Sequence, residues 1–157
     1  MATDALVNRI KQNEGSISYQ KKTGTYKDGK FKLYKDSLGF WTIGYGHLCS
    51  DSEVKKYKDG LSETLAGVVL LQDVMEAEQG ARRLFEMNRH SLEVQDVLIE
   101  MVFQLGERKA AGFKKFKAAL DAQDYHNAAH ELKDSSWYKQ TTNRVKAHID
   151  VLLAASK

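Results

Sequence analysis

The chain contains no proline in its 157 residues. That excludes proline-stiffened linkers and folding slowed by prolyl isomerisation. Its one cysteine, Cys49, has no partner for an internal disulfide, so a disulfide framework is excluded as well. No window approaches the ~18 consecutive apolar residues of a membrane span, and the first nine residues lack the apolar centre of a secretory leader. There is no internal repeat and no low-complexity segment. What is present is a composition of 42% hydrophobic and 29% charged residues, that of a soluble globular domain with a core to bury.

Net charge is +3, too mild to indicate a nucleic-acid binder, but it is unevenly spread. Residues 1–60 carry 11 basic and 7 acidic side chains, residues 61–100 carry 3 and 8, and residues 101–157 carry 10 and 6. Two basic ends around an acidic middle suit attraction to an anionic polymer; they equally suit an ordinary solvated surface.

Thr3 or Asp4 caps a first helix whose stripe is Leu6, Val7 and Ile10, and Gly15 stops it. Residues 16–47 read as a small antiparallel sheet. Asp28-Gly29 between alternating runs marks a hairpin, Asp36–Gly39 a second turn, and Phe40–Ile43 a strand ended by Gly44 and Gly46. Beyond Gly60 the pattern is helical. Ser62 caps a long helix toward Phe85, and Ser91 caps another that Gly106 stops. Shorter helices follow near 113–121, 124–133 and 143–154.

Two carboxyls stand out. Glu14 lies at a helix C-terminus, whose negative pole disfavours a second negative charge and so suits a proton donor. Asp36 lies in a turn, among water and backbone N–H groups that suit a carboxylate. Carboxyls in contrasting surroundings are the arrangement used on glycosidic bonds, although most chains carry a helix-end glutamate and a turn aspartate with no such role. His126 and His130 share helical spacing with a zinc motif, but Asn127 stands where its general-base glutamate belongs and no third ligand is evident. Cys49 near His47 could suggest a cysteine nucleophile, a reading set aside here.

The run from Tyr34 through Asp36, Thr42 and Gly44-Tyr45-Gly46-His47 to Leu48 resembles the core motif of tailed-phage lysozymes, the T-even-like endolysins of glycoside hydrolase family 24. Asn13-Glu14-Gly15, Met101–Glu107, Ala111-Gly112-Phe113 and Trp137–Arg144 resemble further family segments, in family order. The resemblance implies a mainly α, α+β fold in two lobes within one domain: 16–60 a small β-containing lobe, 61–90 a connecting helix, 91–157 plus 1–15 a helical lobe, with a cleft between lobes.

It also implies cleavage of the β-1,4 bond between N-acetylmuramic acid and N-acetylglucosamine in bacterial peptidoglycan. Glu14 would protonate the leaving oxygen, while Asp36 and Thr42 position the attacking water. By family position Leu48, Phe103, Phe116 and Glu131 would meet the saccharide. Arg144 would lie near Glu14, and His47 would be a structural hydrogen-bonder with Asp73 as its partner. No cofactor or metal, no nucleic acid, no stable membrane insertion and a monomer are expected. The enzyme would gather in the host cytoplasm and depend on a membrane lesion, such as a holin makes, to reach the wall. The alternatives are a lysozyme used during infection, a non-catalytic peptidoglycan-binding module, and a metal-dependent amidase or peptidase.

One departure from the family is plain. Glu14 and Asp36 have 21 residues between them, more than the family's compact spacing. The added length is expected to lengthen a hairpin, whose lysines either meet wall polymer or sit in a passive extension.

Overall fold

Asp4 supplies the acidic first turn of α1 (Asp4–Gly15), which buries Leu6 and Ile10 on one stripe. The computed structural model describes residues 2–157 of the chain. Directly after α1 comes an element absent from the sequence expectation, the helix α2 (Ile17–Thr23). The Ser16 side chain accepts the Tyr19 N–H at its start, and the Gly24 N–H returns to the Gln20 carbonyl at its end. Seven residues give too few turns for an apolar period to show, so the caps were the only readable signal.

Strands β1 (Tyr26–Lys27) and β2 (Lys30–Phe31) pair antiparallel around Asp28-Gly29, both residues at positive φ (57° and 75°), as the primed hairpin turn requires. Then come β3 (Tyr34–Lys35), β4 (Trp41–Ile43), β5 (His47–Leu48), α3 (Asp51–Lys56) and β6 (Leu61–Ser62). The expected single sheet is in fact two. One has the order β1-β2-β6, with Phe31 opposite Leu61; the other has the order β3-β4-β5. Return of the chain at Leu61 was hidden because two residues carry no alternation. Phe31 is fully buried, with the rings of Tyr26 and Tyr45 each edge-on at 5.0 Å.

Ser62 caps α4 (Glu63–Leu84) through the Leu65 N–H, as expected. A 3₁₀ turn at Met87–Arg89 precedes α5 (Leu92–Leu105), capped by Ser91. The rest is helical: α6 (Glu107–Ala111), α7 (Lys114–Asp121), α8 (Tyr125–Lys133), α9 (Ser136–Gln140) and α10 (Thr142–Ala155). The two five-residue helices, α6 and α9, were not legible in the sequence.

The chain divides into two compact units, and the boundary falls inside α4. The first is Asp4–Val74, so α1 belongs with the strands; the second holds Met75–Lys157 and the residues before Asp4. In the second unit α8 packs against α7 and α10, and α5 buries Val94, Val97, Leu98 and Met101. That helix also buries two acids one turn apart. Asp96 accepts the Thr3 hydroxyl at 2.6 Å, and Glu100 Oε2 lies 2.6 Å from His148 Nε2. Among the described residues no helix is long and apolar enough to cross a membrane.

Candidate active site

The three expected catalytic residues fall in the first unit, on or against the sheet β3-β4-β5, and so do Leu48 and His47. Asp36 sits where β3 turns toward β4. Its Oδ1 accepts two backbone N–H groups, from Leu38 and Phe40, both at 2.9 Å. The turn closes with the Gly39 N–H on the Asp36 carbonyl at 3.0 Å. These bonds fix the carboxylate plane and leave Oδ2 out of the turn's hydrogen bonds. Thr42 is buried in the middle strand, and its hydroxyl donates to the Phe40 carbonyl at 3.1 Å. With that hydrogen committed, the Thr42 oxygen meets any further group as an acceptor.

Glu14 ends α1 against the β4–β5 turn. Gly46 there has φ +79°, and a Cβ on it would stand 2.6 Å from Glu14 Oε2. Glycine is favoured there by its backbone conformation, and the missing side chain leaves room for the carboxyl where it now lies. Along β4 the order runs from the Gly46 turn, which Glu14 touches, through Thr42 to Phe40 and the Asp36 turn.

Thr42 is directly opposite Tyr34 on one side and Leu48 on the other. Directly opposed residues share a sheet face, so the three form one row. Leu48, expected at the saccharide, is 60% exposed there. Tyr34 was missed, although it stands two residues before Asp36 in a strand-like run, the spacing that shares a face. Its phenol is raised above the ordinary range, first by burial, then by the charges of Glu14 and of Asp36. The hydroxyl therefore stays protonated in the presence of both carboxyls.

His47 next to this row is clamped between two acids. Nδ1 lies 2.8 Å from Asp73 on α4, and Nε2 lies 2.8 Å from Glu53 on α3. The Asp73 hydrogen bond, opposed by burial and joined by Glu53, holds the imidazole up at about 9. Asp73 was expected as the partner. Glu53 was not, although Ser50-x-x-Glu53 is a capping-box signature, and both of its reciprocal bonds form. Cys49 is half-buried, and burial first, then Glu53 and Asp73, push its thiol up to about 11.

The remaining expected residues lie in the second unit. Phe103 on α5 and Glu131 on α8 are half-buried. Phe116 corrects the expectation: it is 1% exposed and packs edge-on against Phe85, so its ring belongs to the core and is closed to a saccharide. Arg144 is largely buried on α10, with Nε 3.7 Å from Glu100 Oε2. His126 and His130 are both exposed on α8, and among the described residues no group of three or more His, Cys, Asp or Glu is placed to hold a metal ion.

A family profile described as phage lysozyme matches residues 25–150. The match takes in Asp36, Thr42, His47 and Arg144; Glu14 and all of α2 lie ahead of it. The chain is similar to two proteins of Dictyostelium discoideum, each described as a probable T4-type lysozyme. T4-type lysozyme 2 is 31% identical over 150 residues, covering 80% of this chain and 88% of that protein. T4-type lysozyme 1 is 28% identical over 151 residues, covering 81% and 89%. With the profile matched over most of its length, the chain belongs to the phage lysozyme family and is a lysozyme-type glycoside hydrolase.

Proposed function

We propose that the enzyme is a muramidase that cleaves the β-1,4 link between N-acetylmuramic acid and N-acetylglucosamine by direct attack of water. Glu14 protonates the leaving oxygen. Asp36 Oδ2 takes one proton of the water as its oxygen bonds to the anomeric carbon, and the other proton stays on that oxygen, hydrogen-bonded to the Thr42 oxygen, which orients the attacking lone pair. The observation that carries this reading is the division of labour at Asp36: Oδ1 is spent on two backbone N–H groups and Oδ2 is left for the water. Leu48 supplies an exposed apolar contact beside this row. His47 acts as a structural clamp, and Arg144 is kept as a supporting residue by family position.

Residues 17–35 hold six lysines and one acid, Asp28. This cationic stretch supports affinity for an anionic wall polymer. Charge reversal at Lys21, Lys22 and Lys27 is expected to weaken pull-down on murein and to steepen as salt is lowered. Host lysis is part of the same proposal: synthesis in the host cytoplasm, passage to the wall through a lesion made by a separate protein such as a holin, and action as a monomer. Membership of the phage lysozyme family supports it.

Product analysis on purified murein tests the chemistry. Wild type is expected to release new reducing ends and Glu14→Gln none. Murein bound tightly by wild type without any new reducing ends would instead mean a binding module, and would overturn the assignment.

A further inference from the structure

The added segment between Glu14 and Asp36 contains a polar side chain that is 2% exposed: Gln20, in the middle of α2. Its amide is fully used. Nε2 donates to the Gly15 carbonyl at 2.8 Å and to the Gly44 carbonyl at 2.9 Å, and Oε1 accepts the Thr25 hydroxyl at 3.1 Å. A primary amide has two N–H donors, and here each goes to a different carbonyl.

The two carbonyls are significant by position. Gly15 follows Glu14 at the end of α1. Gly44 begins the β4–β5 turn, two residues before the Gly46 backbone against which the Glu14 carboxyl lies. The amide thus ties the helix that carries Glu14 to the turn that Glu14 faces, on the same sheet as Thr42 and Asp36. The two carbonyls can only accept, so they fix Nε2 toward themselves and leave Oε1 to accept the Thr25 hydroxyl.

We propose that Gln20 is a positioning residue for the general acid: the helix added between Glu14 and Asp36 sets the distance from the Glu14 carboxyl to the sheet bearing Asp36 and Thr42. The proposal rests on Glu14 being the proton donor. It gives the added length a catalytic purpose that neither a passive extension nor a wall-binding hairpin supplies. Buried bonds of this kind hold a group to a fraction of an ångström, and a displacement near 1 Å at a reacting group costs roughly a hundredfold in rate.

The test is Gln20→Met, which keeps the length of the side chain and removes both donors, with Thr25→Val as a gentler companion that leaves both donors in place and removes the bond to Oε1 together with the exposed Thr25–Thr23 hydroxyl contact. Both are assayed for reducing ends on soluble murein fragments, well below their melting temperatures and corrected for folded fraction. Glu14→Gln and the remote cap variant Ser91→Ala run beside them. Gln20→Met is expected to lower kcat roughly tenfold or more, with KM within about twofold. The alkaline limb of its pH–kcat profile is expected to move by about half a unit or more, which a loss of folded protein does not do. Thr25→Val is expected to move both in the same direction by less, and it carries the test if Gln20→Met does not fold. Ser91→Ala is expected to lower stability and leave the profile in place.

Unchanged kcat and an unmoved limb in folded Gln20→Met, or in Thr25→Val where that variant carries the test, would overturn the proposal and leave Gln20 as a scaffold for α2. Activity surviving in Glu14→Gln would overturn the underlying reading itself. Loss there with an indifferent Gln20→Met overturns the positioning role alone.

Discussion

Replacing His47 with asparagine removes the cation shared by Asp73 and Glu53 while keeping a polar side chain of similar reach. The imidazole sits at about 9 in the folded protein against 6.5 in the unfolded chain. At about 1.4 kcal/mol per unit, that difference sets a ceiling of about 3 kcal/mol. Glu53 and Asp73 are 30% and 23% exposed, and solvent screening brings the expected contribution to about 2 kcal/mol. For a chain of this size that corresponds to about 4–8 °C in Tm.

The sign follows from the direction of the shift. A histidine raised on folding contributes fully below 6.5, and the contribution is lost as pH rises from there through about 9. Glu53 acts at the other end. Burial pushes it up, but the Ser50 N–H and His47 outweigh burial and hold it below its ordinary value. Its share is therefore lost as pH falls below the ordinary carboxyl range. The assay is urea unfolding of wild type and His47→Asn from pH 4 to pH 10. The stability gap is expected to be widest near pH 6 and to close by about pH 10. A gap as wide at pH 10 as at pH 6 would refute the ion-pair account and leave packing as the cause.

Three further outcomes are expected. Gly46→Ala puts a methyl against Glu14 Oε2 in a left-handed backbone conformation, and should cost at least about a hundredfold in kcat and about 1–3 kcal/mol in stability; near-normal activity would show that Glu14 works from another position. Ultraviolet titration of the tyrosines should find the Tyr34 phenol ionising later than an ordinary tyrosine, and Asp36→Asn should bring it down part of the way; no change in Asp36→Asn would separate the two residues. Cys49 should react slowly with a disulfide reagent at pH 8 and rapidly once urea unfolds the chain, since its thiol stays protonated in the fold; fast labelling of the native protein would contradict that environment.

The legible parts of this fold are those in which one residue's chemistry decides the local shape. Asp28-Gly29 forces a primed turn, and Ser62 and Ser91 each announce a helix start three residues ahead of the N–H they cap. The Asp36 turn and the Thr42 strand were readable for the same reason. What stayed hidden depended on partners distant in sequence. Gln20 looks like any surface polar residue until Gly44 is brought to it, 24 positions away. Phe116 looks like a candidate sugar contact until Phe85 covers it. Glu100 interrupts an apolar helix with a charge that makes sense only once His148 and Arg144 are brought to it from α10. The helices α2, α6 and α9 were hidden by length, because five to seven residues complete too few turns to establish a period.

The segment added after Glu14 is two materials joined end to end. Its first part, through Thr25, is bolted by a buried amide to the end of α1 and to the β4–β5 turn. Its second part ends in the solvent-exposed tip Asp28-Gly29, where a Cβ on Gly29 would find nothing within 4 Å. Such tips accept inserted sequence, whereas bolted backbone does not. The enzyme therefore offers a natural grafting point on the hairpin: a peptide spliced between Asp28 and Gly29, whether an affinity handle or a targeting sequence, would ride on the tip and leave the end of α1 where the Gln20 amide ties it.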